Sequence, residues 1–191
     1  MKMKVGAAIG IIAVAVVFLV LLSSIALAIS DYNNLVKLEE DVDSDWAQVE
    51  NQYQRKIDLI PTLVSTVEAY QEFEESTLTN ITSLRTQWME ASGNQEEQLD
   101  ISNRLDTALR SIILTYENYP YLQSIEAVRD LIVELEGTEN RITVERMRYN
   151  DGVRDYNTKI KQFPTVIIAN SFGFEERSYF ESNFAPDDPG Q

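Results

Sequence analysis

The chain has 191 residues, with 31 acidic against 16 basic side chains and a formal net charge of −15. It contains no cysteine and no histidine, which excludes disulfides, thiol nucleophiles, imidazole metal ligands and Ser–His–Asp catalysis. Its acidity argues against a nucleic-acid partner, which requires a clustered basic face.

The amino-terminal region is a long apolar run without charge between Lys4 and Asp31. The 26 residues between them would form a helix of roughly 39 Å, longer than the ~30 Å hydrocarbon core of a bilayer. We therefore predict a transmembrane anchor at residues 1–30, in which residues 5–29 contact the lipid bilayer. The alternative is a cleaved signal peptide ending at Ala26-Leu27-Ala28, although the apolar part of a signal peptide usually has only about 7–15 residues.

Basic residues near the ends of the span predict its orientation in the cell membrane. Lys2 and Lys4 precede the span, whereas the fifteen residues after it contain Lys37 among six acidic side chains. This distribution favours a single-pass protein with its amino terminus in the cytoplasm and its domain on the extracytoplasmic side.

The region 31–184 is predicted to be a helical bundle, because its apolar residues recur at helical spacing. In the first helix they repeat every eleven residues, and the same stripe continues as far as Trp88. We expect one continuous helix to extend from the membrane span into the domain. We also expect a kink near Pro61, since proline removes a hydrogen bond within a helix.

Three further helices are expected at Gln95–Asn118, Ser124–Gln162 and Thr165–Phe172, the last capped by Gly173. The third helix of the domain has two apolar series of seven-residue period, typical of helices that pack on partner helices. The prediction is an all-α fold, an antiparallel up-and-down bundle after the transmembrane helix, with a disordered tail at residues 185–191.

Glu139 and Arg146 interrupt one apolar series of the long third helix. A buried charge must be paired, and Arg55 and Asp58 lie beside the apolar stripe of the first helix. We predict a network of these four charges that fixes helix register, with a catalytic or transport role as the less favoured alternative.

Two Tyr-Asn pairs, Tyr149-Asn150 and Tyr156-Asn157, recur one heptad apart. The favoured interpretation is an interior aromatic ladder in which the asparagines hydrogen-bond across helices. The alternative is a polar groove that binds a small ligand or a cation.

No catalytic, cofactor or metal site is predicted. Helical di-metal sites use Glu-x-x-His motifs, no calcium-loop spacing occurs, and Ser65, Ser76 and Ser83 have no evident base. The leading hypothesis is a non-enzymatic interaction or scaffold protein of the cell envelope, whose helical surfaces contact a protein partner or a second copy. A small-ligand or cation sensor is the alternative, and a hydrolase is disfavoured.

The chain resembles the LemA family of membrane-anchored helical proteins, through motifs spread over nearly its whole length. They are Tyr32-Asn33-Asn34-Leu35-Val36, Trp46-Ala47-Gln48-Val49-Glu50, Arg55-Lys56-Ile57-Asp58-Leu59-Ile60-Pro61, Tyr119-Pro120, Thr138-Glu139-Asn140-Arg141-Ile142, the two Tyr-Asn pairs, Phe163-Pro164 and Phe172-Gly173-Phe174. The resemblance implies a membrane helix followed by a four-helix bundle, without an established catalytic activity. It also implies an external amino terminus, which conflicts with the lysine count. Glu68 and Phe73 stand where family members usually have a basic residue and a histidine.

Overall fold

The computed structural model describes residues 2–180, with side chains from Gly10 onward. Within that range the chain is helical without a strand, which confirms the predicted all-α class. The helices are α1 Lys2–Val67, α2 Glu75–Glu90, α3 Gln95–Asn118, α4 Pro120–Gln123, α5 Glu126–Lys161 and α6 Thr165–Phe172.

Helix α1 joins the apolar run to the domain without a break, as the sequence predicts. Every described side chain from Gly10 to Leu27 is exposed. The most apolar stretch has a mean hydropathy of 3.0 and none of it is buried. An apolar helix with no protein around it has the length and composition of a membrane span.

The prediction that this helix continues to Trp88 is wrong, because α1 ends at Val67 and α2 begins at Glu75. Between them Tyr70 N donates to Val67 O and Phe73 N donates to Tyr70 O, and Phe73 is buried in the turn. The apolar stripe survives the reversal because α2 buries its own face, formed by Leu78, Ile81, Leu84 and Trp88. Periodicity alone therefore does not distinguish one long helix from a helical hairpin.

Helix α1 continues through Pro61, as predicted. Proline lacks an N–H, so the carbonyl of Ile57, four residues earlier, has no partner within the helix. Arg85 Nε of α2 donates to that oxygen at 3.3 Å. The proline thus leaves a free backbone acceptor on α1, which forms a hydrogen bond with α2. The predicted kink in α1 stays a prediction.

The remaining predicted helices agree closely with the structure. The bounds of α3 and α6 are those predicted, and α5 lies within two residues of its prediction at its N-terminus and one at its C-terminus. Asn94 Oδ1 accepts from Glu97 N at the start of α3, and Gly173 closes α6 with a φ of 78°. The four-residue helix α4 was not predicted.

Two compact units can be distinguished, and each is described by itself. The first contains residues up to Asp43 together with Gly152–Arg177, and the second contains Ser44–Asp151 together with the described residues from Ser178 onward. In the second unit, successive turns bring α1, α2, α3 and α5 around a shared apolar core, the expected bundle. The domain boundaries at residues 30 and 184 stay predictions, and the predicted tail at 185–191 lies outside the described residues.

Candidate functional site

Polar side chains of α1, α3 and α5 meet inside the second unit. We call this group the interior charge cluster, and its members are Tyr53, Lys56, Asp106, Glu139 and Arg146. Each of the four charged members occupies a position in an apolar series of seven-residue period: Lys56 follows Val49, Asp106 follows Leu99, and Glu139 and Arg146 follow Ile132. The fold therefore turns all four toward the interior.

Asp106 is the centre of the interior charge cluster. Its Oδ1 accepts from Lys56 Nζ at 2.7 Å, and its Oδ2 accepts from Tyr53 OH and Arg146 Nη1, each at 2.8 Å. Its side chain is only 8% exposed. Buried charges are stable only when paired and hydrogen-bonded, and Asp106 meets that condition with three donors from two neighbouring helices.

The two cations of the cluster, Lys56 and Arg146, each have a second acceptor in addition to Asp106. Lys56, which is 1% exposed, also donates to Glu139 Oε2, and Arg146 donates to Asn103 Oδ1. Glu139 is partly open to solvent, with 38% of its side chain exposed. The ion pairs therefore neutralise two cations and two carboxylates.

Tyr53 cannot readily act as a base or nucleophile in this position. Burial raises the pKa of its hydroxyl well above the usual value, and the neighbouring Asp106 carboxylate raises it further. Its proton stays on the oxygen and is donated to Asp106. Tyr53 therefore holds the carboxylate in place.

The structure brings together only part of the predicted network. Glu139 and Arg146 both belong to the interior charge cluster, but they contact Lys56 and Asp106 and not the predicted pair. Arg55 and Asp58 are exposed, and Asp58 accepts from Gln54 Nε2 on the same helix face. The physical reason is helix geometry: at about 100° per residue, the buried positions Lys56 and Ile57 share one face of α1. Arg55 and Asp58 lie on the other side of the helix and face solvent.

The first Tyr-Asn pair binds the chain's own backbone in the second unit. Asn150 Nδ2 donates to Phe180 O at 3.1 Å and Asn150 Oδ1 accepts from Phe180 N at 2.9 Å. Tyr149 OH donates to Ser178 O at 2.8 Å and accepts from Gln95 Nε2. The expected hydrogen bond from an asparagine to another helix is replaced by a pairing with residues 178–180.

The ring of Phe180 fills an aromatic cluster in the second unit. It stacks on Trp46, with ring centroids 5.6 Å apart, and meets Tyr149 edge-on at 5.5 Å. Arg146 Cζ lies 4.3 Å from the Phe180 ring centroid, within the range of a cation–π contact. Phe180 is 3% exposed, so this part of the interior is filled by the chain itself.

The asparagine of the second Tyr-Asn pair also binds the chain's own backbone, in the first unit. Asn157 Nδ2 donates to Arg177 O at 2.8 Å, and Arg177 N donates to Asn157 Oδ1 at 2.9 Å. The Arg177 guanidinium then pairs with Glu39 and Asp43 of α1, at 3.1 and 3.3 Å. Tyr156 is buried, and burial raises the pKa of its hydroxyl to about 12.

Residues 174–180 form no helix or strand and were not predicted to contact the helices. The signal for their role was the repeated Tyr-Asn pair, because a buried asparagine amide matches the donor and acceptor of one backbone residue. The alternative interpretation was a polar groove that binds a ligand. This pairing argues against it, because the amides of Asn150 and Asn157 are already bonded to the chain's own backbone.

An open groove of about 900 Å³ lies in the second unit between the end of α1 and α2. Ser65, which lines it, donates to Thr62 O, and Thr82 donates to Leu78 O. Across the described residues no group of three or more acidic side chains is arranged to hold a metal ion. The hydroxyls that Ser65 and Thr82 present to the groove are therefore already bonded to the helix backbone.

Comparison with known proteins agrees with this architecture. The chain is 27% identical over 190 residues to magnetosome protein MamQ 2 of Paramagnetospirillum magneticum, covering 86% of this chain and 70% of the relative. It is 24% identical to magnetosome protein MamQ of Magnetospirillum gryphiswaldense, covering 92% and 74%. It is 18% identical to protein LemA of Metamycoplasma hominis, covering 79% and 69%. The family model described as "LemA family" matches residues 45–189, most of the chain, and the protein therefore belongs to the LemA family.

Proposed function

We propose that the protein is a non-enzymatic, membrane-anchored interaction or scaffold protein of the cell envelope. Its anchor is the apolar part of α1, which is exposed along its described length. Relatives named MamQ and LemA support a membrane location. The interior charge cluster supports a structural role, because its cations and carboxylates bind each other.

The observation that carries the interaction role is an exposed seam on α5 in the second unit. It consists of Val133, Gly137, Asn140, Val144 and Met147, spaced alternately by four and three residues. Val133 and Met147 are 61% and 56% exposed, and a Cβ added at Gly137 would meet no atom within 4 Å. This is the spacing with which helices form coiled-coil seams.

The seam suits a helix of a protein partner or of a second copy. Its apolar residues are few, and small or polar ones lie between them, which favours a contact that forms and dissociates over a permanent one. The opposite seam of α5, which holds Ile142 and Tyr149, is buried in the bundle. One helix thus supports the fold on one face and offers a second face to a partner.

A photo-crosslinker placed at Val133 in the full chain tests this role in native membranes. The matched control is Arg104 on α3, whose side chain is 52% exposed. We expect an adduct of discrete mass from position 133 and none from position 104. Monomer alone from both positions would contradict the scaffold role.

The lysine distribution supports an extracytoplasmic domain. Because the chain has no cysteine, Asp41→Cys on α1 would be the only thiol. In intact cells we expect a membrane-impermeant maleimide to label it. Labelling only after the membrane is broken would place the domain in the cytoplasm and reverse the orientation.

A small-ligand or cation sensor remains the second candidate. The acidic surface and the Tyr-Asn pairs favour it, but a ligand at Asn150 would have to displace Phe180. Such displacement would accelerate amide hydrogen exchange at Phe180 when the ligand is added. Exchange that is unchanged by divalent cations would count against this candidate.

A further inference from the structure

Helix α6 has an exposed apolar face in the first unit. Phe163, just before it, is 81% exposed, and Ile167 and Phe172 are 56% and 64% exposed. Phe163 continues a buried heptad series of α5, so the sequence predicts an interior position that the structure does not give it. The stretch from Gln162 to Phe174 has no charged residue.

This face lies beside the carboxyl end of the apolar run of α1. Lys159 Nζ, near the end of α5, is 3.3 Å from Asp31 Oδ1, and Asp31 is the first charge after the run. The Tyr32 ring lies 4.8 Å from the ring of Phe172 and 5.8 Å from that of Phe174. The end of α5 and the carboxyl end of α6 thus both lie close to the point where the span ends.

The direction of α5 places its end toward the membrane. Asn157 binds Arg177, which pairs with Glu39 and Asp43, and two residues later Lys159 pairs with Asp31. The helix therefore runs antiparallel to α1, toward the apolar run. Phe163 follows Lys159 by four residues and lies just beyond the end of α5 at Lys161. Residues from Gly10 to Leu27 are exposed, and Ala28 is the first residue of the described apolar run that is only partly exposed. This is the position at which the end of α5 would be expected to begin covering α1.

We propose that α6 is a second lipid contact, with Phe163, Ile167 and Phe172 inserted in the same membrane interface as the end of the span. The proposal rests on the membrane anchoring proposed above. The uncharged run of α1 is roughly 39 Å long, about 9 Å more than the hydrocarbon core. Its last turns therefore lie at the interface, where amphipathic helices bury an apolar face by about 5–10 Å.

The bilayer fits this surface because the surface is continuous with the span. Tyr32, Phe172 and Phe174 form an aromatic group at the end of a membrane helix, where aromatic side chains are enriched. Two of the three charges that follow are paired within the first unit, because Glu176 pairs with Lys161 at 2.6 Å and Arg177 pairs with α1. Local acidic charge therefore opposes insertion less than the net charge of the chain suggests.

A fluorescent label that reports lipid contact tests the proposal in the full chain. Ile167→Cys, Val17→Cys within the span, and Asp41→Cys are each labelled with bimane and reconstituted in phosphatidylcholine nanodiscs. Val17 is 59% exposed, which matches Ile167, and Asp41 lies about 15 Å beyond Asp31 along α1. Brominated lipid and aqueous iodide serve as the two quenchers, and circular dichroism checks that each variant is helical.

We expect brominated lipid to quench the label at position 167 as it quenches position 17, and iodide to quench only position 41. If position 167 behaves like position 41 while position 17 is quenched by lipid, the α6 contact is refuted and the anchor stands. If position 17 is also insensitive to lipid, the proposed anchoring itself fails. A label at position 167 that neither quencher reaches would mean that protein covers α6, which also refutes the proposal.

Discussion

Helix α5 has two kinds of polar interior residue, and they differ in the partners that satisfy their polar groups. Glu139 and Arg146 bind charged side chains from α1 and α3. Asn150 and Asn157 instead bind backbone groups of Phe180 and Arg177. Both kinds lie on the buried side of α5, and both are bonded to other parts of the chain.

The difference shows what each arrangement can tolerate. A charge requires a counter-charge at short range, so the interior charge cluster fixes the register of three helices, and its loss is expected to affect the whole second unit. An amide requires only a donor and an acceptor, and residues 174–180 can detach locally without opening the helices. We therefore predict that the interior charge cluster determines global stability. The asparagines are predicted to determine local protection of residues 174–180 against amide hydrogen exchange.

The largest expected effect is that of Asp106→Ala, which leaves two buried cations without their shared carboxylate. We expect a loss of about 3–5 kcal/mol, or a fall of about 6–20 °C in the melting temperature of a chain of this length. Circular dichroism of the full chain in detergent measures it. Asp58→Ala, an exposed acidic residue, is the control and should change stability by less than about 0.5 kcal/mol. Equal effects would break the distinction between the cluster and the surface.

Asn150→Ala should have the next largest effect, because it removes two hydrogen bonds to Phe180. At about 0.5–1.5 kcal/mol for each bond, the loss is about 1–3 kcal/mol. Amide hydrogen exchange should accelerate at Phe180 while α3 keeps its protection. Asn140→Ala, an exposed asparagine of the same helix, is the control. Uniform acceleration throughout the second unit would show that the two kinds of residue are not distinct.

Glu139→Ala should cost about 1 kcal/mol, because its partner Lys56 keeps Asp106 and Glu139 is partly solvated. Removal of one partner from a fully buried pair would instead cost about 3–5 kcal/mol. A melting curve of Glu139→Ala beside that of Asp106→Ala separates the two values. A loss as large as that of Asp106→Ala would show that Glu139 behaves as a fully buried charge.

Tyr156→Phe should have the smallest effect at neutral pH, because among the described residues the buried Tyr156 hydroxyl has no hydrogen-bond partner. Burial raises the pKa of this hydroxyl from 10.0 to about 12. Above pH 10 the unfolded chain loses the proton first, so stability is complete below pH 10 and falls as the pH approaches 12.

The substitution should therefore flatten the decline of the melting temperature between pH 10 and 12. Tyr53→Phe is the contrasting variant. It removes the hydrogen bond to Asp106 and should lower stability already at neutral pH. Equal melting temperatures for the two variants at neutral pH would contradict the contrast.

Helix positions followed from the sequence because apolar periodicity and breakers are local signals. Gln95–Asn118 and Thr165–Phe172 were predicted at their observed bounds. The turn between α1 and α2 was missed because residues 68–74 contain neither glycine nor proline, and the apolar stripe has the same spacing on both sides of it. In the folded chain the burial of Phe73 and the hydrogen bonds of the turn mark the reversal.

Two of the four charged members of the interior charge cluster, Glu139 and Arg146, followed from the heptad series of α5. Lys56 was missed because the sequence indicates an eleven-residue period for α1, whereas the series Leu35, Val42, Val49, Lys56, Leu63 has a period of seven. In α3 a seven-residue period likewise places Asp106 between Leu99 and Ile113. The role of residues 174–180 could not be found this way, because pairing with an asparagine amide depends on backbone position, which leaves no periodic pattern.

The most direct test of the central claim replaces the charges with uncharged side chains of similar size. A variant with Lys56→Met, Asp106→Leu, Glu139→Gln and Arg146→Met carries the photo-crosslinker at Val133 in native membranes. If the cluster only supports the bundle, the variant remains folded and gives the same adduct as the unaltered chain, since apolar replacement of a complete buried ion network is often tolerated. A folded, membrane-bound variant that has lost the adduct would show that the charges themselves carry the function.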